Sequence, residues 1–256
     1  MLRPPMDLAD PRFLLVAACV FVGFAAEATV GFGGTVITLA LASALFPLDL
    51  LLATIVPVGL SLSLYIVARH HDHADRGLIL RRILPLMAAG MAVGFTLFER
   101  APRELLHRLF AGFVTALATW ELALLRFRAR ASSGDPAPRR GRALEAVAML
   151  GAGVTHGLFS SGGPLLVWSL GHASLSKSAF RSTLAIVWVA LGLALNAAYA
   201  TTGRLTRASL LASAALLPVV GLAIVTGERL HRRLDEARFK RAIFALLLVA
   251  GIANLR

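Results

Sequence analysis

Two glycine-rich interruptions constrain this chain more than any other feature. They are Gly31-Phe32-Gly33-Gly34-Thr35 and Ser160-Ser161-Gly162-Gly163-Pro164, and each cuts a long apolar stretch. Apolar residues make up 57% of the 256 positions, charged residues 16%, and the mean hydropathy is +0.75. That composition belongs to a polytopic helical membrane protein and not to a soluble domain. Irregular backbone at membrane depth survives only where protein or a water-filled cavity satisfies its polar groups. The breaks are therefore expected to face a shared interior.

Charge and cysteine narrow the function classes. The formal net charge is +12, but the basic residues sit in short loops between apolar runs, where they set orientation in the bilayer. No nucleic-acid partner follows from them. Cys19 is the lone cysteine, so neither a disulfide framework nor a thiolate metal site is expected. The cluster His70-His71-x-His73 lies between Arg69 and Arg76 and reads as a solvated loop. No metal and no cofactor are expected. The first apolar run lacks a convincing small-residue cleavage site and reads as a retained span.

In chain order, Phe13 to Ala26 is apolar but short, about 21 Å as helix against a hydrocarbon core of about 30 Å. With Phe32 to Phe46 it predicts a hairpin of short or broken helices whose tip holds Glu27 and the first glycine motif. Spans are expected over Leu50 to Ala68, Ile83 to Phe98 and Leu105 to Leu125. Arg126 to Arg142 is arginine-rich around Ser132-Ser133-Gly134-Asp135-Pro136 and reads as a linker. Beyond it the plan repeats: Ala143 to Phe159, Leu165 to Leu170, Ala179 to Ala200, Leu210 to Thr226 and Ala242 to Leu255.

The repetition has a register. Gly162-Gly163 follow Gly33-Gly34 by 129 positions, and the same offset relates Ala53-Thr54 to Ser182-Thr183 and Glu27 to His156. Pro85 and Gly94 match Pro218 and Gly227 at an offset of 133. The expected organisation is a first transmembrane repeat over 1–127, a cytoplasmic basic linker over 128–142 and a second repeat over 143–256. With about five helical segments in each, the second half enters the membrane from the opposite side. Most Lys and Arg then gather on one face: Arg69, Arg76, Arg81 and Arg82; the linker arginines; Lys177 and Arg181; and Arg229 to Arg241. The positive-inside rule places both termini outside. The expected fold class is an all-α polytopic membrane protein of two inverted-topology repeats, with broken or re-entrant hairpins at the glycine motifs, an architecture of many secondary transporters.

A helix starting just after a glycine turn exposes unpaired backbone N–H groups with a partial positive charge. Such a terminus favours an anion. Gly33, Gly34, Gly162 and Gly163 allow close approach to the backbone, and Pro164 suits a first helical turn. Thr35, Ser160 and Ser161 add hydroxyls. Two such starts facing each other would clamp an oxyanion. Small residues also serve simple close packing between membrane helices. Glu27 and His156 are ionisable groups within apolar segments, which default to functional candidates; they are candidates for proton coupling or gating. Asn196, Thr54, Ser182, Thr183 and Trp188 are further polar or aromatic candidates along the path, although interhelical hydrogen bonding and packing account for them equally well.

At these residues the sequence resembles the TauE/SafE sulfite exporter family of membrane transport proteins. The resemblance covers nearly the whole chain and rests on the two motifs and on the run from Lys177 through Arg181 to Leu184. Thr35 replaces a usual third glycine, Ser160 a usual first one, and Ala40 a frequent proline. The resemblance implies a transporter, not an enzyme, in a bacterial inner membrane. It implies a substrate among sulfite and organosulfonates; the candidate binding residues, read from the breaks and the polar span positions themselves, are Gly33, Gly34, Thr35, Ser160, Ser161, Gly162, Gly163 and Asn196. Carrier and channel are not separable from the residues. An intramembrane hydrolase using Ser160 or Ser161 with His156, and a purely structural membrane protein, are the readings from other classes.

Overall fold

The computed structural model describes residues 6, 8–70, 74–130, 141–170, 176–233 and 236–255. Ten helices, and no strand, are found among them. They are α1 (Pro11–Val30), α2 (Gly34–Ala42), α3 (Leu48–His70), α4 (Arg76–Arg100, with a π-turn over Ile79–Ile83), α5 (Arg103–Arg130), α6 (Arg142–Phe159), α7 (Gly163–Leu170), α8 (Lys177–Thr201), α9 (Arg207–Arg233) and α10 (Glu236–Asn254). Six of these, α1, α3, α4, α5, α8 and α9, contain stretches long and apolar enough to cross a membrane. Residues 131–140 of the expected linker, and His71 and His73, lie outside the described residues.

α1 departs from the expected short segment. Asp10 caps it, accepting from the Arg12 N–H at 2.8 Å, and Pro11 occupies the first turn. The helix then runs through Glu27 to Val30, so Glu27 lies inside the last turn and not at a hairpin tip. A buried carboxylate does not end the helix here because it finds a partner across the break.

The two breaks share a backbone solution. α1 ends on Gly31 and α6 on Ser160, both left-handed, at φ 95° and 51°. Left-handed C-caps satisfy terminal carbonyls: the Gly31 N–H donates to Glu27 O at 2.6 Å and the Ser160 N–H to His156 O at 2.7 Å. Ser160 is the described non-glycine residue with positive φ. Ser160→Gly is expected to hold or raise thermal stability by up to about 1 kcal/mol, and Ser160→Val to lower it by about 1–2 kcal/mol. Unfolding in detergent measures both; a clear loss in the glycine variant would mean that the serine side chain outweighs the backbone strain.

After each break the chain makes only a half-helix. α2 has 9 residues and α7 has 8, about 14 and 12 Å of rise. α2 folds back along α1, with Gly34 against Gly23 and Glu27, and with the Thr38 hydroxyl donating to Cys19 O at 3.4 Å. Asn254, in the last turn of α10, pins its far end: Nδ2 donates to Ala40 O at 2.9 Å, and Oδ1 accepts from the Ser43 hydroxyl at 2.9 Å.

The long helices pack in exchangeable pairs: α4 on α6, α1 on α9, α3 on α8, and α5 on α10. α4 and α6 run side by side in the same sense, from the Arg82–Glu145 ion pair (2.8 Å) to the contact of Phe95 with Gly157. Gly90 and Gly94 on α4, and Gly153 and Gly157 on α6, let the two backbones touch. The same kind of contact recurs at α1 and α9. A Cβ on Gly94 would strike Val154 O, and one on Gly227 would strike Ala25 O. Val154 follows Ala25 by the 129-residue offset and Gly227 follows Gly94 by 133. α3 and α8 run antiparallel: the Asp75 N–H, just past α3, meets the Thr183 hydroxyl near the start of α8 at 3.2 Å, while Leu60 meets Gly192 at mid-helix.

Candidate functional site

Both breaks open on one hollow. α1 contributes Glu27, and the first break contributes Phe32 and Gly33. Thr35 and Val36 come from the first turn of α2. Val56, Gly59, Leu60 and Ser63 come from α3, near its midpoint. His156 comes from α6; Ser160, Ser161, Gly163 and Pro164 come from the second break and the start of α7; Trp188 and Gly192 come from the middle of α8.

Positions 129 residues apart meet here. Five lining pairs are separated by the same 129 residues: Glu27 and His156, Phe32 and Ser161, Thr35 and Pro164, Gly59 and Trp188, Ser63 and Gly192.

Its chemistry is uneven. The Glu27 Oε2 accepts the Gly34 N–H at 2.8 Å, both groups buried. An amide of the α2 N-terminus, where a helix attracts negative charge, is thus held by the protein's own carboxylate. His156 is 5% exposed, and neither ring nitrogen has a hydrogen-bond partner. Its ring stacks on Trp188, with centroids 5.6 Å apart and planes 17° apart. An unpaired buried polar group costs about 1–3 kcal/mol, and both imidazole nitrogens stand beside the hollow without a protein partner. Glu27 and His156 are the ionisable side chains among the lining residues.

Of the candidate binding residues, Gly33, Thr35, Ser160, Ser161 and Gly163 border the hollow. Gly34, Gly162 and Asn196 do not. The Gly34 amide is engaged by Glu27, and Gly162 is turned toward Ala152 O and the Met87 side chain. Asn196 donates from Nδ2 to Gly192 O at 2.8 Å, a local bond within α8 that satisfies the amide without a ligand. Thr54, Ser182 and Thr183 are buried away from the lining. The Ser161 hydroxyl donates to Phe159 O at 2.8 Å. Neither His156 ring nitrogen is hydrogen-bonded to Ser160 or Ser161.

Sequence reasoning passed over Gly59, Ser63 and Gly192 as parts of uninterrupted spans. A signal was present: Gly59 and Ser63 share a helical face four residues apart, and the 129-residue offset carries that pair onto Trp188 and Gly192.

No curated protein and no solved structure matches the chain significantly. The family described as "Sulfite exporter TauE/SafE" matches residues 15–254, nearly the full length and both half-helix sites. With apolar helices around paired glycine breaks, and a match that covers both, the chain belongs to the TauE/SafE sulfite exporter family.

Proposed function

We propose that this membrane transporter of the sulfite-exporter type is a secondary carrier. Its substrate is a small anion, sulfite or an organosulfonate, held midway through the bilayer between the N-termini of α2 and α7. The observation that carries the reading is a hollow lined by both breaks, with a buried His156 whose ring nitrogens have no hydrogen-bonding protein partner. Gly33 and Gly163 bring backbone to the anion, the open amides of the two half-helices supply donors, and Thr35, Ser160 and Ser161 supply hydroxyls. Glu27 and His156 are the proton-handling pair.

The exchange of helix contacts between the two halves supports an inverted duplication over 1–127 and 143–256, joined through 128–142. Arg82, Arg142 and Arg181 lie near the ends of α4, α6 and α8 that the Arg82–Glu145 and Asp75–Thr183 contacts gather together. Taking that basic end as cytoplasmic places both termini outside a bacterial inner membrane. A carrier is favoured over a channel because the carboxylate on the α2 amide must yield before an anion takes that place, which ties occupancy to a change of state.

The test is a panel of sulfite, sulfate, thiosulfate, sulfonates and carboxylates on the purified protein, followed by flux in proteoliposomes with and without a pH gradient. An anion present at about 100 times its Kd stabilises the fold by about 2.7 kcal/mol. A sulfur oxyanion or sulfonate is expected to lead the panel and to be transported faster with the gradient. Absence of both stabilisation and flux across the panel would reject the assignment.

A further inference from the structure

Four glycines line the hollow: Gly33, Gly59, Gly163 and Gly192. Two of them have a structural reason to be glycine. Gly33 takes a φ of 99°, which side chains rarely adopt. A Cβ on Gly163 would press on Phe32 Cβ at 3.0 Å. Gly59 and Gly192 have neither reason. They lie inside α3 and α8, where glycine is less stable than alanine. A Cβ on Gly59 would lie 3.6 Å from Thr35 Oγ1, and one on Gly192 would lie 3.5 Å from Leu60 Cδ1. Both are ordinary van der Waals distances to side-chain atoms. At Gly90, Gly94, Gly153 and Gly157 a Cβ would come within 2.2 Å of a facing carbonyl oxygen. Those four let two helices touch; Gly59 and Gly192 do not.

What a methyl at either position would take up is space at the hollow. Thr35 and Leu60, the first neighbours it would meet, both line it. One turn beyond each glycine a side chain bonds the glycine carbonyl. The Ser63 hydroxyl donates to Gly59 O at 3.2 Å, and Asn196 Nδ2 donates to Gly192 O at 2.8 Å. These bonds end on main-chain oxygens, so alanine leaves them in place. His156, 5% exposed, lines the same hollow with neither ring nitrogen hydrogen-bonded. The room kept by the two glycines therefore belongs to a hollow with buried polar atoms that no protein group satisfies.

We propose that Gly59 and Gly192 are the size-selecting residues of the anion site: their bare backbones set its width between α3 and α8, and a methyl at either position shifts selection toward smaller anions. This rests on the anion-transport reading above and adds to it which residues discriminate among anions. Backbone N–H groups at a helix start respond to charge. Bulk added to a packed wall is what discriminates by size.

The experiment is calorimetric titration of the purified full-length protein with sulfite, sulfate, methanesulfonate and ethanesulfonate, read as the affinity ratio between the smallest and the largest anion bound. Gly59→Ala and, separately, Gly192→Ala should each move that ratio at least about tenfold in favour of the smaller anion. Each should melt no lower than the unsubstituted protein. Gly221→Ala, at an exposed position of α9 where a Cβ meets nothing within 4 Å, should leave the ratio within about twofold. An unchanged ratio in either site variant overturns the proposal while the anion site stands. A lower melting temperature in either also overturns it, because the glycine then serves packing. So does a shift of the same size in Gly221→Ala. If one anion of the four binds alone, selection is not graded by size and the proposal fails. If none binds the unsubstituted protein, the anion site itself fails, and the proposal fails with it.

Discussion

Gly163→Val is expected to weaken anion binding about a hundredfold while leaving the protein folded in the membrane. A Cβ at Gly163 would sit 3.0 Å from Phe32 Cβ and 3.2 Å from Cδ2, tighter than ordinary van der Waals contact. Valine adds two methyls beyond that. The Phe32 ring, which lines the hollow, must then move. Overpacking of this kind costs about 1–3 kcal/mol, and here it falls on the wall of the site. Gly34→Val acts from the other half: its Cβ would collide with Glu27 Oε2 and lie 3.1 Å from Glu27 Cβ, pushing the carboxylate off the amide. Gly221→Val is the control, because a Cβ there meets nothing within 4 Å and the residue is exposed on α9. Binding is read by thermal stabilisation with the best anion of the panel, and folding by monodisperse elution. If both site variants bind as well as the control, the amides of the half-helices are not the anion site.

Much of this architecture is legible along the chain because glycine and proline mark it. The breaks at Gly31 to Gly34 and Ser160 to Pro164 interrupt apolar stretches that have no other reason to stop, and two half-helices follow them. Helix ends are less legible. Hydropathy alone closes the first segment at Ala26, since Glu27 and Thr29 look like the start of a loop. In the fold Glu27 is paired with the Gly34 amide, and the Thr29 hydroxyl donates to Ala25 O at 2.7 Å within its own helix. Both polar groups are satisfied, so the helix continues for another turn. Whether a polar residue ends a membrane helix depends on a partner that local sequence does not display.

The site follows the same logic. Polar side chains inside spans draw attention in a sequence, and Asn196, Thr54 and Thr183 all bond nearby protein groups without lining the hollow themselves. Glycine at mid-span draws none, yet Gly59 and Gly192 line it, because an absent side chain leaves the room. The 129-residue register is the one sequence property that ties the two walls together. Where one half shows an obvious feature, such as Glu27 or Trp188, the register points to its less obvious counterpart, His156 or Gly59.

Glu27→Gln is expected to separate anion binding from pH. Glutamine keeps an acceptor oxygen for the Gly34 N–H, so the 2.8 Å contact and the turn around it survive. What disappears is the negative charge. Two unit charges about 4 Å apart repel by about 4 kcal/mol at the effective dielectric of a protein interior, so an anion and an ionised Glu27 do not share this hollow comfortably. In the native protein, anion affinity should therefore fall as pH rises, and a proton should travel with the anion. In Glu27→Gln the affinity should stay near the native low-pH value across the range, and a pH gradient should no longer drive accumulation, with net flux down at least about tenfold. His156 is the other ionisable group at the hollow and has to be separated from Glu27. His156→Phe keeps an aromatic ring, slightly larger, against Trp188 and removes the titratable imidazole nitrogens. If the pH dependence persists in Glu27→Gln and vanishes in His156→Phe, the titrating group is the histidine. The carboxylate on the Gly34 amide would then be a structural cap, and the carrier would draw its coupling from the opposite half of the fold.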